Sequence, residues 1–168
     1  MEIHTTISIH APAEAAWAVL GEQFGDIGEW ASAIASSSLD RPLSAGAVRT
    51  CQIYGFGPFR ESTIKERLDV FQPAERRFQY TAFEGMPWFI ASAVNRWSVE
   101  PRGADACEVR SHATVRLVWW LRPLGGWMRR SLQANVARIT EELQHRVEHA
   151  APHPNNTHRV QKMAAASH

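Results

Sequence analysis

Eight histidines and two cysteines are the residues in this 168-residue chain most able to hold a metal or act as nucleophiles. Their spacing limits what they can do. His145, His149 and His153 recur every four positions, but they run from a helical pattern into a proline-containing stretch, and no carboxylate closes a ligand set. No metal site is read there. His112 alternates with Arg110 and Thr114 as an outward residue of a strand. Cys51 and Cys107 lack metal spacing and can form at most one bridge, so they read as buried thiols in a reducing compartment. No Ser-His-Asp or Cys-His arrangement carries a motif, no glycine-rich loop is shaped for phosphate, and no cofactor signature is present. Arg129 and Arg130 read as a solvated helix face. The remaining chemical resource is apolar mass: seven tryptophans and 45% hydrophobic residues, enough for a large core or a cavity.

The elements that would build such a cavity follow from periodicity. Ile3, Thr5, Ile7 and Ile9 alternate with polar residues, which predicts a half-buried first strand. Pro12 opens a predicted helix over 13–20, and a second short helix over 26–34 carries Ile27, Trp30, Ala31 and Ile34, with Asp26 as its N-cap. Six predicted strands follow, at 37–43, 47–54, 59–71, 76–83, 89–100 and 107–119. Their connections are short Gly/Pro turns, which demand an antiparallel meander because parallel neighbours need long crossovers. After Gly125-Gly126, Met128, Leu132, Val136, Ile139, Leu143 and Val147 mark one long amphipathic helix ending near residue 148. Residues 149–168 offer little to bury and read as a disordered tail, leaving 1–148 as one domain.

Net charge is +1, which excludes a chain built for non-specific nucleic-acid binding. No apolar run reaches membrane-spanning length, and the N-terminus starts directly with strand alternation, so neither a membrane span nor a signal peptide is read. A cytoplasmic protein is the expectation.

The order of elements resembles the α+β helix-grip fold of the START-like (SRPBCC) superfamily. That resemblance implies a seven-stranded curved antiparallel sheet wrapped around the long C-terminal helix, with two short helices after the first strand. Within the superfamily, Ala11-Pro12-Ala13-Glu14-Ala15-Ala16-Trp17, Trp30, Gly46-Ala47-Val48-Arg49, Glu66-Arg67-Leu68-Asp69, Tyr80, Pro87 and Asn95-Arg96-Trp97 are similar to the bacterial polyketide cyclase/dehydrase-like group. The run Ser62 to Asp69 followed by Glu75-Arg76-Arg77 also resembles the plant abscisic-acid receptors. The chain departs from those receptors in having Tyr54 where they place a hormone-binding lysine, and Gly55-Phe56-Gly57-Pro58-Phe59 in place of their gate.

The resemblance implies ligand-binding positions at Gln52, Tyr54, Glu66 and Ser92 on the strands and at Trp127, Ser131 and Asn135 on the last helix. Alternation adds Ser111, the one polar residue in the inward row Val109, Ser111, Ala113, Val115, Leu117. The family register places Val48, Thr50, Gln52 and Tyr54 inward on the third strand, and Glu66 inward with Ile64, Leu68 and Val70 on the fourth. On the sixth strand the same register puts Ser92 and Val94 inside but turns Trp97 outward, a conflict that a bulge would resolve. Each role has a plain rival. Glu66 is a pocket carboxylate or the partner of a neighbouring arginine; Asn135 contacts a ligand or bonds within the protein; Tyr54 is a cavity wall or a proton donor. Phe56, Pro58, Phe59, Met86, Pro87, Trp88 and Phe89 form either a hydrophobic gate or a cap on the core, extended by Val118 to Leu121.

Three functions are carried forward. The first is non-covalent binding, for transport or sensing, of a small hydrophobic or amphipathic molecule such as a lipid, polyketide or isoprenoid, with no cofactor and at most transient contact with a membrane or acyl carrier. The second is a polyketide cyclase/aromatase or dehydratase using Glu66 or Tyr54 as a catalytic acid or base. The third is a protein-interaction module.

Overall fold

Antiparallel pairing orders the chain from its first strand to its last. In a computed structural model, which describes residues 1–54, 61–119, 125–154 and 156 and only the backbone at 127 and 128, seven strands form one sheet. They are β1 (Glu2–Ile9), β2 (Ile34–Leu39), β3 (Val48–Ile53), β4 (Ser62–Gln72), β5 (Arg77–Glu84), β6 (Ile90–Pro101) and β7 (Cys107–Leu117), in the spatial order β1-β7-β6-β5-β4-β3-β2. Every neighbouring pair is antiparallel. β2 to β7 are the predicted meander, and β1 closes it by pairing with β7. A short helix α1 (Ala13–Trp17) follows β1, and the long helix α2 (Gly125–His149) completes the helix-grip architecture.

The segment between α1 and β2 departs from the expected pair of helices. α1 gives way to a π-helical turn at Ala18–Glu22, and a 3-10 turn at Phe24–Glu29 replaces the predicted helix 26–34. Close packing accompanies the first change: the Trp17 ring lies so near Gly21 that a Cβ there would sit 2.5 Å from it. Asp26 falls inside the 3-10 turn instead of capping it, and β2 begins at Ile34, earlier than predicted. Ser37 anchors this turn to β2, accepting from Gly28 N at 2.9 Å and donating to Gly25 O at 2.6 Å.

The core lies between the inner sheet face, these turns and α2. Trp17, Phe24, Trp30, Leu68, Phe78, Trp97, Val99, Val109 and Leu143 are buried there. On α2 the buried Glu142 accepts from both the backbone N–H, at 2.8 Å, and the hydroxyl of Ser32, which fastens the helix to the start of β2. Beyond α2 the chain turns at Ala150 (φ 53°) and brings Asn156 back into the interior, its amide donating to Trp30 O at 3.4 Å. This start of the expected tail is therefore packed. Residues 157–168 lie outside those described.

Candidate functional site

Two register facts decide what faces the interior. Arg49 pairs with Glu66 and Cys51 with Ile64, so Arg49, Cys51 and Ile53 point inward and Val48, Thr50 and Gln52 point outward. Along β6, Ala93, Asn95, Trp97 and Val99 pair with the inward row Val115, Ala113, Ser111, Val109 of β7. Both inward rows carry polar groups, and these meet.

Arg49 is 3% exposed. Its Nε donates to Glu66 Oε2 at 2.8 Å, Nη2 stands 2.6 Å from the same oxygen, and Nη1 donates to Phe24 O at 2.7 Å. Its guanidinium carbon also lies 3.8 Å from the Phe24 ring centre and 5.2 Å from that of Tyr80, so the cation is held by a carboxylate and two aromatic faces. Burial, the largest single influence, would lower the Arg49 pKa, but the Glu66 charge and hydrogen bond together with Cys51 and Tyr80 outweigh it and the net direction is upward. The Cys51 thiol lies 3.7 Å from Glu66 Oε2 and is pushed up to about 12, first by burial. It is no nucleophile at neutral pH.

Tyr80 links this pair to β6 and β7. Ser111 Oγ donates to Asn95 Oδ1 at 3.1 Å, and Asn95 Nδ2 donates to the Tyr80 hydroxyl at 3.2 Å. Burial, reinforced by the Glu66 charge, pushes Tyr80 up to about 12, so the phenol keeps its proton at neutral pH.

Above these groups is a cavity of about 50 Å³. Leu20, Phe24, Ile27 and Trp30 line it from the turns, Arg49, Phe78, Tyr80, Asn95 and Trp97 from the sheet, and Val136 and Ile139 from α2. The Trp30 Nε1–H is buried without a hydrogen-bond partner. Past the cavity the inner face continues as the half-buried Ile53, Ile64, Ala93 and Leu117. The arrangement is an apolar space lined by the cation of a fixed ion pair, a protonated phenol and a tryptophan whose indole N–H has no partner.

The family described as "Polyketide cyclase / dehydrase and lipid transport" matches residues 1–148. The chain belongs to that family. Solved structures share its fold. A START superfamily protein from Mycobacterium smegmatis superposes with TM-score 0.74 at 16% identity, over 89% of this chain and 99% of that one. The Zhui aromatase/cyclase from Streptomyces sp. R1128 gives 0.68 at 16% identity, over 91% and 99%. Norcoclaurine synthase from Thalictrum flavum, in complex with dopamine and hydroxybenzaldehyde, gives 0.63 at 16% identity, over 86% and 84%. No protein of curated function matches.

Within this polyketide cyclase/dehydrase family fold, the structure gathers only part of the predicted site. Glu66 and Ser111 reach the interior, Glu66 as the partner of Arg49. Gln52 does not: it is exposed, accepting from Thr63 Oγ1 at 2.8 Å, because the β3–β4 register turns its row outward. Ser92 pairs with Arg116 on the outer face. The expected β6 bulge falls between Ile90 and Ser92, ahead of the 92–97 run, so Trp97 is buried and the family register is corrected for both residues. A further bulge between Leu68 and Val70 carries Val70 outward and Phe71 inward. Tyr54, half-buried at the end of β3, bonds through its backbone N–H to Ala33 O at 3.0 Å and is not among the residues lining the cavity. On α2, Ser131 is exposed and Asn135 Oδ1 accepts from Arg138 at 3.1 Å; Val136 and Ile139 line the cavity instead. The Trp127 side chain, Phe56, Pro58 and Phe59 lie outside what is described.

Of the expected gate, Met86, Pro87 and Phe89 are half-buried, while Trp88 is 72% exposed. Trp88 meets Phe89 edge-on at 5.7 Å, and Phe89 O accepts from Val118 N at 3.0 Å, which brings the 77%-exposed Trp119 to the same rim. Arg49, Tyr80, Asn95 and Trp30 were not singled out as site residues by the sequence. All four stood among the family-like residues and runs, which was the available signal.

Proposed function

We propose that the protein binds a small amphipathic molecule, its apolar body along the inner sheet face and an oxygen-bearing polar end at Arg49, Tyr80 and Trp30. The observation that carries this reading is an apolar cavity beside a buried ion pair, lined by Trp30, whose buried N–H has no partner. An unmet buried donor costs about 1–3 kcal/mol, which a ligand oxygen or a water offsets. Membership of a family described by polyketide chemistry and lipid transport supports the class of ligand: lipid, polyketide or isoprenoid. A cavity of about 50 Å³ holds only a polar head, so the rest of such a ligand must lie along Ile53, Ile64, Ala93 and Leu117. Two free buried cysteines suit a reducing, cytoplasmic setting, and the exposed Trp88 and Trp119 suit transient contact with a membrane or acyl carrier during loading.

Thermal-shift and native mass spectrometry against fatty acids, isoprenoids and aromatic polyketides test the reading. Val136→Trp, which fills the cavity, is expected to abolish the shift, and Asn135→Leu is expected to leave it unchanged. A folded wild-type protein that responds to none of the panel would overturn it.

A second reading, polyketide cyclisation or dehydration, is favoured by Tyr80. A phenol held protonated beside an ion pair can donate to a carbonyl as enolate charge develops. Under this reading Tyr80→Phe keeps ligand binding and loses turnover of a poly-β-ketone substrate.

A further inference from the structure

The β1–β7 ladder assembles a second cluster on the opposite side of the sheet. Glu2 and His4 stand two residues apart on β1 and so share its outer face, and His4 is directly opposite His112 on β7. The two imidazoles stack with centres 4.1 Å apart and planes 22° from parallel. Glu2 Oε2 lies 3.8 Å from His4 Nε2 and 3.9 Å from His112 Nε2. Glu2, His4 and His112 are the only trio of His, Cys, Asp or Glu among the described residues whose ligand atoms all fall within 4.8 Å of one another.

One atom in this group is unsatisfied. His112 Nε2 is enclosed by protein and has no hydrogen-bond partner, although the ring as a whole is half-buried. A buried imidazole nitrogen without a partner is costly unless something else occupies its lone pair. Arg96, opposite His112 on β6, directs its guanidinium away to Gln79 Oε1 at 2.7 Å, and Arg110 is held by Glu100 and Glu108. Neither cation is paired with Glu2.

We propose that Glu2, His4 and His112 form a binding site for a divalent transition metal ion, zinc being the physiological candidate. Two imidazole nitrogens and one carboxylate oxygen are the borderline donor set that Zn²⁺ selects, and three protein ligands leave a fourth position for water or an anion. Zinc–ligand bonds of about 2.0–2.2 Å set tetrahedral ligands about 3.4 Å apart, so ligand atoms now within 4.8 Å of one another close the site by moving up to about 1.4 Å nearer, with the two stacked rings rotating to aim both nitrogens at one ion. His4 and His112 also line an outer-face groove of about 600 Å³ bordered by Arg96 and Arg110, where the fourth position can take an anionic group. The sequence hides this site because its ligands are brought together by strand pairing across more than a hundred residues, whereas the visible four-residue spacing of His145, His149 and His153 draws attention elsewhere.

Isothermal titration of the untagged full chain with zinc chloride tests the proposal. One zinc per chain is expected, with His4→Ala, His112→Ala and Glu2→Gln each weakening binding by about tenfold or more, the range produced even by loss of an outer-shell partner. Zinc should raise the melting temperature of the wild type and not of His112→Ala, and His4→Ala, at an exposed position, covers the case in which His112→Ala fails to fold. A copper-loaded sample should show two nitrogen ligands by electron paramagnetic resonance, reduced to one in His4→Ala. Absence of stoichiometric zinc binding overturns the proposal, as does binding that survives the three substitutions or is lost only in His145→Ala/His149→Ala.

Discussion

Arg49 and Glu66 face each other across β3 and β4 and place a guanidinium nitrogen 2.6 Å from a carboxylate oxygen on the inner face of the sheet, with side chains only 4% and 14% exposed. A pair so enclosed is costly to break one side at a time, because the survivor is a buried charge without a counter-ion. Arg49→Met is therefore expected to destabilise the fold by about 3–5 kcal/mol, while Arg49→Met/Glu66→Leu recovers most of that loss. Urea unfolding of the two variants checks this. A double variant no more stable than the single one would show that the pair contributes net stability.

Cys51 and Tyr80 make the fold sensitive to alkali. Their ordinary values of 9.0 and 10.0 are both pushed to about 12, chiefly by burial. Above pH 9 the unfolded chain releases these protons while the native chain retains them, so the unfolded state binds fewer protons and stability falls as pH rises. The stability is complete below pH 9 and is lost between about 9 and 12, at about 1.4 kcal/mol per pH unit for each group in its window. Cys51→Ala and Tyr80→Phe should each flatten the measured slope of unfolding free energy against pH over this range, and unchanged slopes in both would refute the assignment.

Glu142 ties α2 to Ser32 through two hydrogen bonds on a buried carboxylate. Glu142→Ala leaves the Ser32 N–H and hydroxyl without their acceptor and is expected to cost about 2–3 kcal/mol. Glu141→Ala, at the exposed neighbouring position, should stay within about 0.5 kcal/mol of wild type. Equal losses would mean that helix propensity, and not the anchor, sets the effect.

Gly85 turns the chain between β5 and β6 at φ 77°, and a Cβ there would lie 1.7 Å from Thr63 O. Strain and the clash with backbone act together, so Gly85→Ala should lower stability by about 2 kcal/mol or more. Gly103→Ala provides the comparison: its φ is also positive, at 128°, but a Cβ there meets nothing within 4 Å, so its loss should be the smaller of the two. Calorimetric melting of both variants measures the difference.

Local patterns in the sequence determined much of this protein. The alternation of Ile3, Ile7 and Ile9, the short Gly/Pro connections and the three- and four-residue steps of Val136, Ile139 and Leu143 are enough to place the strands, the antiparallel meander and the long helix, because these depend on period and chain length alone. The inward row of β7 was equally legible, since only one of its two rows is apolar. On β3 neither row is. Val48, Thr50, Gln52 compete with Arg49, Cys51, Ile53, and an arginine argues for the outside until its partner is known. That partner, Glu66, is set by pairing register, and the bulges that turn Val70 outward and align Trp97 inward are features of the folded sheet. The floor of the cavity and the Glu2, His4, His112 cluster were decided by tertiary structure for one physical reason. Each is made by side chains from different strands, and only cross-strand contact makes burying a charge, or converging three ligands, favourable.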